Sequence, residues 1–347
     1  MKGNRQGSLS RSITRRSGQN CKIKIQILFL QFCGQLVKKV QRDFFDKLNR
    51  ATKFARFFGR NLMEDLHIHM ILDGVDWRHA IGAQKAAPDD ALLRARLADY
   101  HARGVRFLRD GGDAWGVSLR ARALSREYGI DYRSPAFPIY RRGHYGAFIG
   151  RGFSDWDEYD ALLDEAEEKQ ADFIKLMISG LIDFNEFGCL TETGPAPEDI
   201  RKMIVLSHER GFAVMAHANG DAAVCAALQA GVESIEHGAY LSRDTLRRLS
   251  ETETVWVPTL ATIGNLIGCG RHPDAVLRRL LAQQQENAAR VVSDGGTVGC
   301  GSDAGAFHVL HGQGAADERA LLKAALGTKS ERMLAYAQTQ IERKFRR

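Results

Sequence analysis

From residue 63 onward the chain alternates between two spacings of apolar side chains. Short runs rich in Val, Ile, Phe and Leu occur at 63–69, 104–109, 134–140, 172–178, 212–217, 232–236, 254–258 and 297–302. Such runs, bounded by turn residues, predict strands. Between them the apolar residues recur at helical spacing. Leu93, Leu97 and Tyr100 mark a helix over 89–103, and Tyr159, Leu162, Leu163 and Ala166 mark one over 156–170. Similar spacing predicts helices over 197–210, 220–230, 242–251 and 274–293. Gly104, Gly211 and Gly231 fall just past helix ends, where a left-handed residue closes the last turn. Eight strands alternating with helices fit an α/β protein, either a closed (β/α)8 TIM barrel or an open doubly wound sheet. An open sheet for a dinucleotide needs GxGxxG after its first strand. None follows residue 69, and Gly299-Cys300-Gly301 has the wrong spacing, so the barrel is the expected fold.

Composition changes the picture mainly at the start of the chain. The net charge of +7 is unevenly distributed. Residues 1–62 carry 15 Lys/Arg against 2 Asp/Glu, and the remainder carries 34 against 40. The body is therefore mildly acidic, and its charge does not mark a nucleic-acid binder. The basic leader 1–62 is open to three readings: a targeting presequence, a disordered or helical basic arm, or a start codon placed upstream of Met63. Were the leader a nucleic-acid arm, residues 1–60 alone would bind with strong salt dependence. Residues 41–58 place Phe, Leu and Lys as in a basic amphipathic helix. Cys21, Cys33, Cys189, Cys225, Cys269 and Cys300 form no CxxC pair. Scattered thiols suit a reducing, cytoplasmic setting, with most of them buried as small hydrophobes. No apolar run approaches the roughly 18 residues of a membrane span, so no membrane partner is expected.

The chemistry is concentrated where a barrel places its active site, at the C-terminal ends of the strands. Asp65-Leu66-His67-Ile68-His69 sets two imidazoles two positions apart. On a strand both face the same way, about 7 Å apart along the backbone, and can meet one metal ion. Asp110, Asp113, His144, Lys175, His217, His237 and Asp303 fall at the same rim. Each alone has an ordinary structural explanation: a hydrogen-bonded core histidine, a lysine with a packed stem, an aspartate capping a turn. Their common placement is what singles them out. Lys175 lies in Phe173-Ile174-Lys175-Leu176-Met177. A buried lysine loses its proton readily, and a neutral amine can add CO2 to become a bidentate, anionic carbamate. Small residues around His217 and before Asp303 leave room for a ligand.

The set DLHIH, FIKLMISG, AHANGD, SIEHGAYL and GSDAG, in this order between about residue 63 and about residue 327, resembles the amidohydrolase superfamily. The imidazolonepropionase-like and Xaa-Pro dipeptidase-like branches are the nearest. The resemblance implies a binuclear centre. His67 and His69, with Asp303, would hold one divalent ion, and His217 and His237 the other. A carbamylated Lys175 and a hydroxide would bridge them. Zinc is the default for such a donor set, with Mn, Fe or Co as substitutes. It further implies that Asp303 moves the proton and that the loop Arg141, Arg142, His144 and Tyr145 binds substrate, together with Tyr240. Many relatives add a β-sandwich built from both chain ends. Here the tail after Asp303 reads as helices over 316–326 and 329–343, so a barrel lacking the sandwich is expected over 63–347.

The resulting expectation is a metal-dependent hydrolase of an amide, peptide-like or cyclic amide C–N bond in a small-molecule substrate. A ring deaminase, or an esterase or lactonase on the same metals, is the first alternative. A non-catalytic metal-binding barrel is the second. A homo-oligomer is compatible with either, though no stretch of sequence marks an interface.

Overall fold

The computed structural model describes residues 63–346. The leader 1–62 and its readings, including Cys21 and Cys33, lie outside these residues. The strands are β1 (Met63–Ile68), β2 (Val105–Asp110), β3 (Asp131–Arg133), β4 (Pro138–Arg141), β5 (Arg151–Phe153), β6 (Ile174–Met177), β7 (Val214–Ala218), β8 (Ser234–His237), β9 (Val255–Val257) and β10 (Thr297–Val298). The helices are α1 (Trp77–Gln84), α2 (Asp90–Ala102), α3 (Val117–Ser125), α4 (Trp156–Glu168), α5 (Pro197–Glu209), α6 (Asp221–Gln229), α7 (Arg243–Ser250), α8 (Ala261–Gly264), α9 (Asp274–Ser293), α10 (Gln313–Leu326) and α11 (Ser330–Lys344).

All named strand pairs are parallel. They form two arcs, β1-β2-β3 and β10-β9-β8-β7-β6-β4-β5. The ladder is not closed into one ring, but backbone hydrogen bonds cross both seams. Leu66 N donates to Cys300 O (2.9 Å) and Asp303 N to His67 O (2.7 Å), while Asp172 N donates to Ser134 O (2.8 Å). The third strand of the expected barrel is split between β3 and β4. With that split, the molecule has the expected α/β barrel architecture. The glycines anticipated at helix ends adopt left-handed φ values of +86° at Gly104, +78° at Gly211 and +81° at Gly231.

Three helices escape the periodicity: α1, α3 and the single-turn α8. In α1 only Ala80, Ile81 and Gln84 are buried, and its start is set by Asp76, which accepts from Arg78 N and His79 N. In α3 the inward residues are mostly small, so the apolar stripe is faint. Among the described residues the tail after β10 is helical. Cys300 is buried, whereas Cys189, Cys225 and Cys269 are only half-buried, so most of these thiols are not core residues. No helix of the described residues is long and apolar enough to cross a membrane.

The strand period of two sorts the barrel interior into layers. Phe107, Phe173, Met215 and Val255 pack together at the lower level, with Ile341 and Phe345 of the C-terminal segment. Phe345 meets Phe173 edge-on at 5.2 Å. Two residues further along the same strands come Arg109, Lys175 and His217, with Glu236 paired in register with His217. An apolar floor thus supports a charged, fully buried layer, which is where the chemistry lies.

Candidate metal centre

His67 and His69 both aim their Nε2 atoms at Asp303. The two Nε2 atoms are 3.3 Å apart. Asp303 Oδ1 lies 3.5 Å from His67 Nε2 and 3.3 Å from His69 Nε2. For bonds of 2.0–2.1 Å, tetrahedral ligands around zinc stand about 3.3–3.4 Å apart, so this triad has the spacing of a metal's ligand face. Among the described residues, these three bring one donor atom each within 4.8 Å of the others. Asp303 reaches them because its own backbone is left-handed, at φ +60°. Gly301 permits the approach: a Cβ there would lie 2.8 Å from His67 N.

The other histidines join from the opposite side. The His237 ring is 5.1 Å from that of His67 and 4.5 Å from that of His217. His217 Nε2 sits 3.1 Å from Gly180 O. His237 follows Glu236 on β8, and strict alternation would turn one of the two outward. Both are buried in the interior, because His237 has φ +69°. That conformation is held from several sides: Trp256 Nε1 and Gln284 Nε2 each donate to His237 O at 3.0 Å, and His237 Nδ1 is 2.7 Å from Thr259 Oγ1. Strain of this kind persists only where the surroundings over-determine it.

Burial depresses all three interior histidines: His67 and His237 fall well below the ordinary range, and His217 to about 3, with the Lys175 charge adding to the effect. The rings are therefore neutral, the form that ligates metal. Lys175 is itself pushed down to about 8 by burial. Its Nζ has no hydrogen-bond partner, nor do Asp303 Oδ1 or His69 Nδ1. Buried polar atoms are rarely left so, and a cluster of them at one point fits a cation-binding centre.

The remaining expected residues divide. Tyr145 reaches the centre, with its ring 5.1 Å from that of His217. Its amide donates to Glu192 Oε1 (2.7 Å), and His144 Nδ1 lies 3.6 Å from the same oxygen. Tyr240 packs edge-on against Phe187 at 5.5 Å, in the loop cluster above the strands. Arg141 and Arg142 are not brought to the histidines. Arg141 pairs with Asp199 (3.4 Å) and lies over the Trp156 ring, and Arg142 pairs with Glu158 (2.5 Å). Helix N-termini α4 and α5 carry these acids, and they draw both guanidinium groups outward. Asp110 and Asp113 serve the loop after β2. Asp113 accepts from Trp115 N, Val117 N and Ser118 N, and Asp110 from Gly112 N, Met70 N and the Tyr132 hydroxyl.

No family model matches the chain. Uncharacterised proteins of Mycobacterium bovis and Mycobacterium tuberculosis are 35% identical to it over 133 residues. The match takes in 36% of this chain and 35% of theirs, so the chain spans about a third of the length of these relatives in the aligned part. Solved structures are similar over far more. A Xaa-Pro dipeptidase with methionine bound in its active site superposes with a TM-score of 0.66 at 18% identity, over 82% of this chain and 74% of that one. An ochratoxinase of A. niger gives 0.65 at 17%, over 80% and 71%. An amidohydrolase gives 0.60 at 22%, over 78% and 70%. The chain has the amidohydrolase fold. Identities this low establish the fold alone.

Within that fold, sequence reasoning missed several buried charges, two of which lie beside the centre. Arg109 and Glu236 are both fully buried and joined at 2.8 Å. A signal existed, since each stands two positions after an inward residue of its strand, Phe107 and Ser234. An ionised side chain at such a position needs a partner.

Proposed function

We propose that the protein is a metal-dependent amidohydrolase that cleaves an amide, peptide-like or cyclic amide C–N bond. The observation that carries this reading is the convergence of His67, His69, His217, His237, Lys175 and Asp303 at one end of the barrel, with several donor atoms buried and unpartnered. His67, His69 and Asp303 would hold one divalent ion, and His217 and His237 a second. Zinc suits the imidazole-rich set, with Mn, Fe or Co as substitutes. Such ions, when bound, polarise a carbonyl and make a water acidic enough to ionise near neutral pH.

The chain's own residues supply the rest. Lys175, buried and pushed toward the neutral amine, would add CO2 with release of a proton and so supply an anionic carbamate ligand. Asp303, whose Oδ1 faces the two histidines, would accept a proton from the attacking water on its other oxygen, Oδ2, and return it to the leaving nitrogen. Tyr145 borders the centre, and it would orient the substrate with His144, which shares Glu192 with it, while Tyr240 would bound the mouth.

Asp303→Asn tests the reading. The full-length variant is expected to bind metal, by elemental analysis, yet lose on the order of 10²–10⁴ in turnover on whichever dipeptide, N-acyl amino acid or lactam the parent cleaves. Release of ammonia instead of an amine would point to a ring deaminase. A full metal load with no turnover across the panel would favour a binding protein.

A further inference from the structure

The buried pair missed in the sequence is placed with a purpose. Glu236 Oε2 lies 3.0 Å from His67 Nδ1, the ring nitrogen opposite the one that faces Asp303, a close carboxylate–imidazole contact without hydrogen-bond alignment. Its other oxygen, Oε1, accepts from Arg109 Nη2 (2.8 Å) and from Ser234 Oγ (2.6 Å). Arg109 is fixed in turn: Nη1 donates to Ser234 Oγ and Nε to Leu66 O, both at 2.7 Å, and its guanidinium lies 4.6 Å from the centre of the Phe345 ring. Every side chain from Arg109 through Ser234 and Glu236 to His67 is fully buried. A carboxylate locked by two donors has one role left for its second oxygen.

We infer that Glu236, gripped by Arg109 and Ser234, is a positioning residue that holds the His67 proton on Nδ1 and thereby leaves Nε2 free to ligate an ion. This rests on the metal-centre reading above. An imidazole has one proton to place, and a carboxylate held against one nitrogen favours the proton there, leaving the other nitrogen to donate its lone pair. Burying Arg109 and Glu236 is costly, and the pair persists because each neutralises the other. It lies outside the ligand set and touches that set at His67, while its charge also acts on Lys175.

Glu236→Gln is the informative variant. An amide keeps the acceptor for Arg109 but turns a donor toward His67 Nδ1. The favoured tautomer then carries its proton on Nε2, where the ion should bind. Full-length parent and variant are titrated with cobalt in competition with a chelator, following the visible absorption of the bound ion. The parent is expected to take two ions per chain. The variant should bind one of them about 10–100-fold more weakly, with an altered spectrum, and the other as before. In the metal-free proteins, ring ¹⁵N shifts should move His67 from the Nδ1–H to the Nε2–H tautomer. Ser234→Ala, which removes one anchor of Glu236, should shift cobalt binding the same way by less, and it carries the test if the first variant does not fold. A parent that binds two ions beside variants with the same affinity and spectrum overturns the role of Glu236 alone. A parent that binds no cobalt overturns the metal reading itself.

Discussion

Gly111 shows how tightly single residues define the centre. It follows β2 and donates its amide to Ile68 O (2.8 Å). A Cβ at this position would lie 2.8 Å from His69 Nδ1 and collide with the neighbouring ring carbon. Gly111 is thus required by the space His69 occupies, since its φ is not left-handed. Gly111→Ala should leave the fold intact, as judged by circular dichroism, while tilting His69 away from Asp303. Metal affinity is expected to fall on the order of tenfold, measured by chelator competition. A variant with unchanged affinity would mean that His69 is not held where the ion binds.

At the scale of elements, the loops after the strands do the holding and the strands do the aiming. Asp113 is an example. Its carboxylate satisfies three amides at the start of α3, and that helix has no side chain at its own N-cap, Gly116. Asp113→Ala leaves those buried amides unpaired and should cost about 1–2 kcal/mol, read as a lower urea midpoint at unchanged slope. Metal binding should persist, because Asp113 touches none of the histidines. The seam between β1 and β10 works similarly. Asp65 accepts from Ser302 N (2.8 Å) and Ser302 Oγ (2.6 Å), which docks the Asp303 turn against the His67 strand.

For the whole molecule, stability depends on pH through buried carboxyls outside the centre. Glu318 on α10 is fully buried, accepts from Ala261 N (2.7 Å), and is pushed up to about 8 by burial. A carboxyl whose pKa is raised on folding binds its proton more tightly in the native state than in the unfolded chain. Its contribution is therefore favourable at low pH and is lost as pH rises from the ordinary value of 4.5 toward about 8. An amide imitates the protonated acid at every pH. Glu318→Gln should match the parent near pH 4.5 and become relatively more stable above it, by up to about 1.4 kcal/mol per pH unit. Urea unfolding at several pH values checks this; a constant difference would show that Glu318 ionises freely in the fold.

Much of this architecture is written locally. Strand and helix positions follow from apolar spacing, and the histidines and Asp303 could be placed at strand ends because side-chain direction on a strand depends only on parity. The pairing of Arg141 and Arg142 with acids of α5 and α4 was not legible, because sequence places the two arginines in a loop without showing what stands opposite. Glu236 went unnoticed for the reverse reason: His237 claims the same strand end, and only the left-handed backbone lets both face inward. What the chain alone determined was the order of elements and the donor types at each strand end. The tertiary structure decided which donors meet, since distances of 3.3–3.5 Å between residues more than two hundred positions apart are set by strand register and packing, neither of which is a local property.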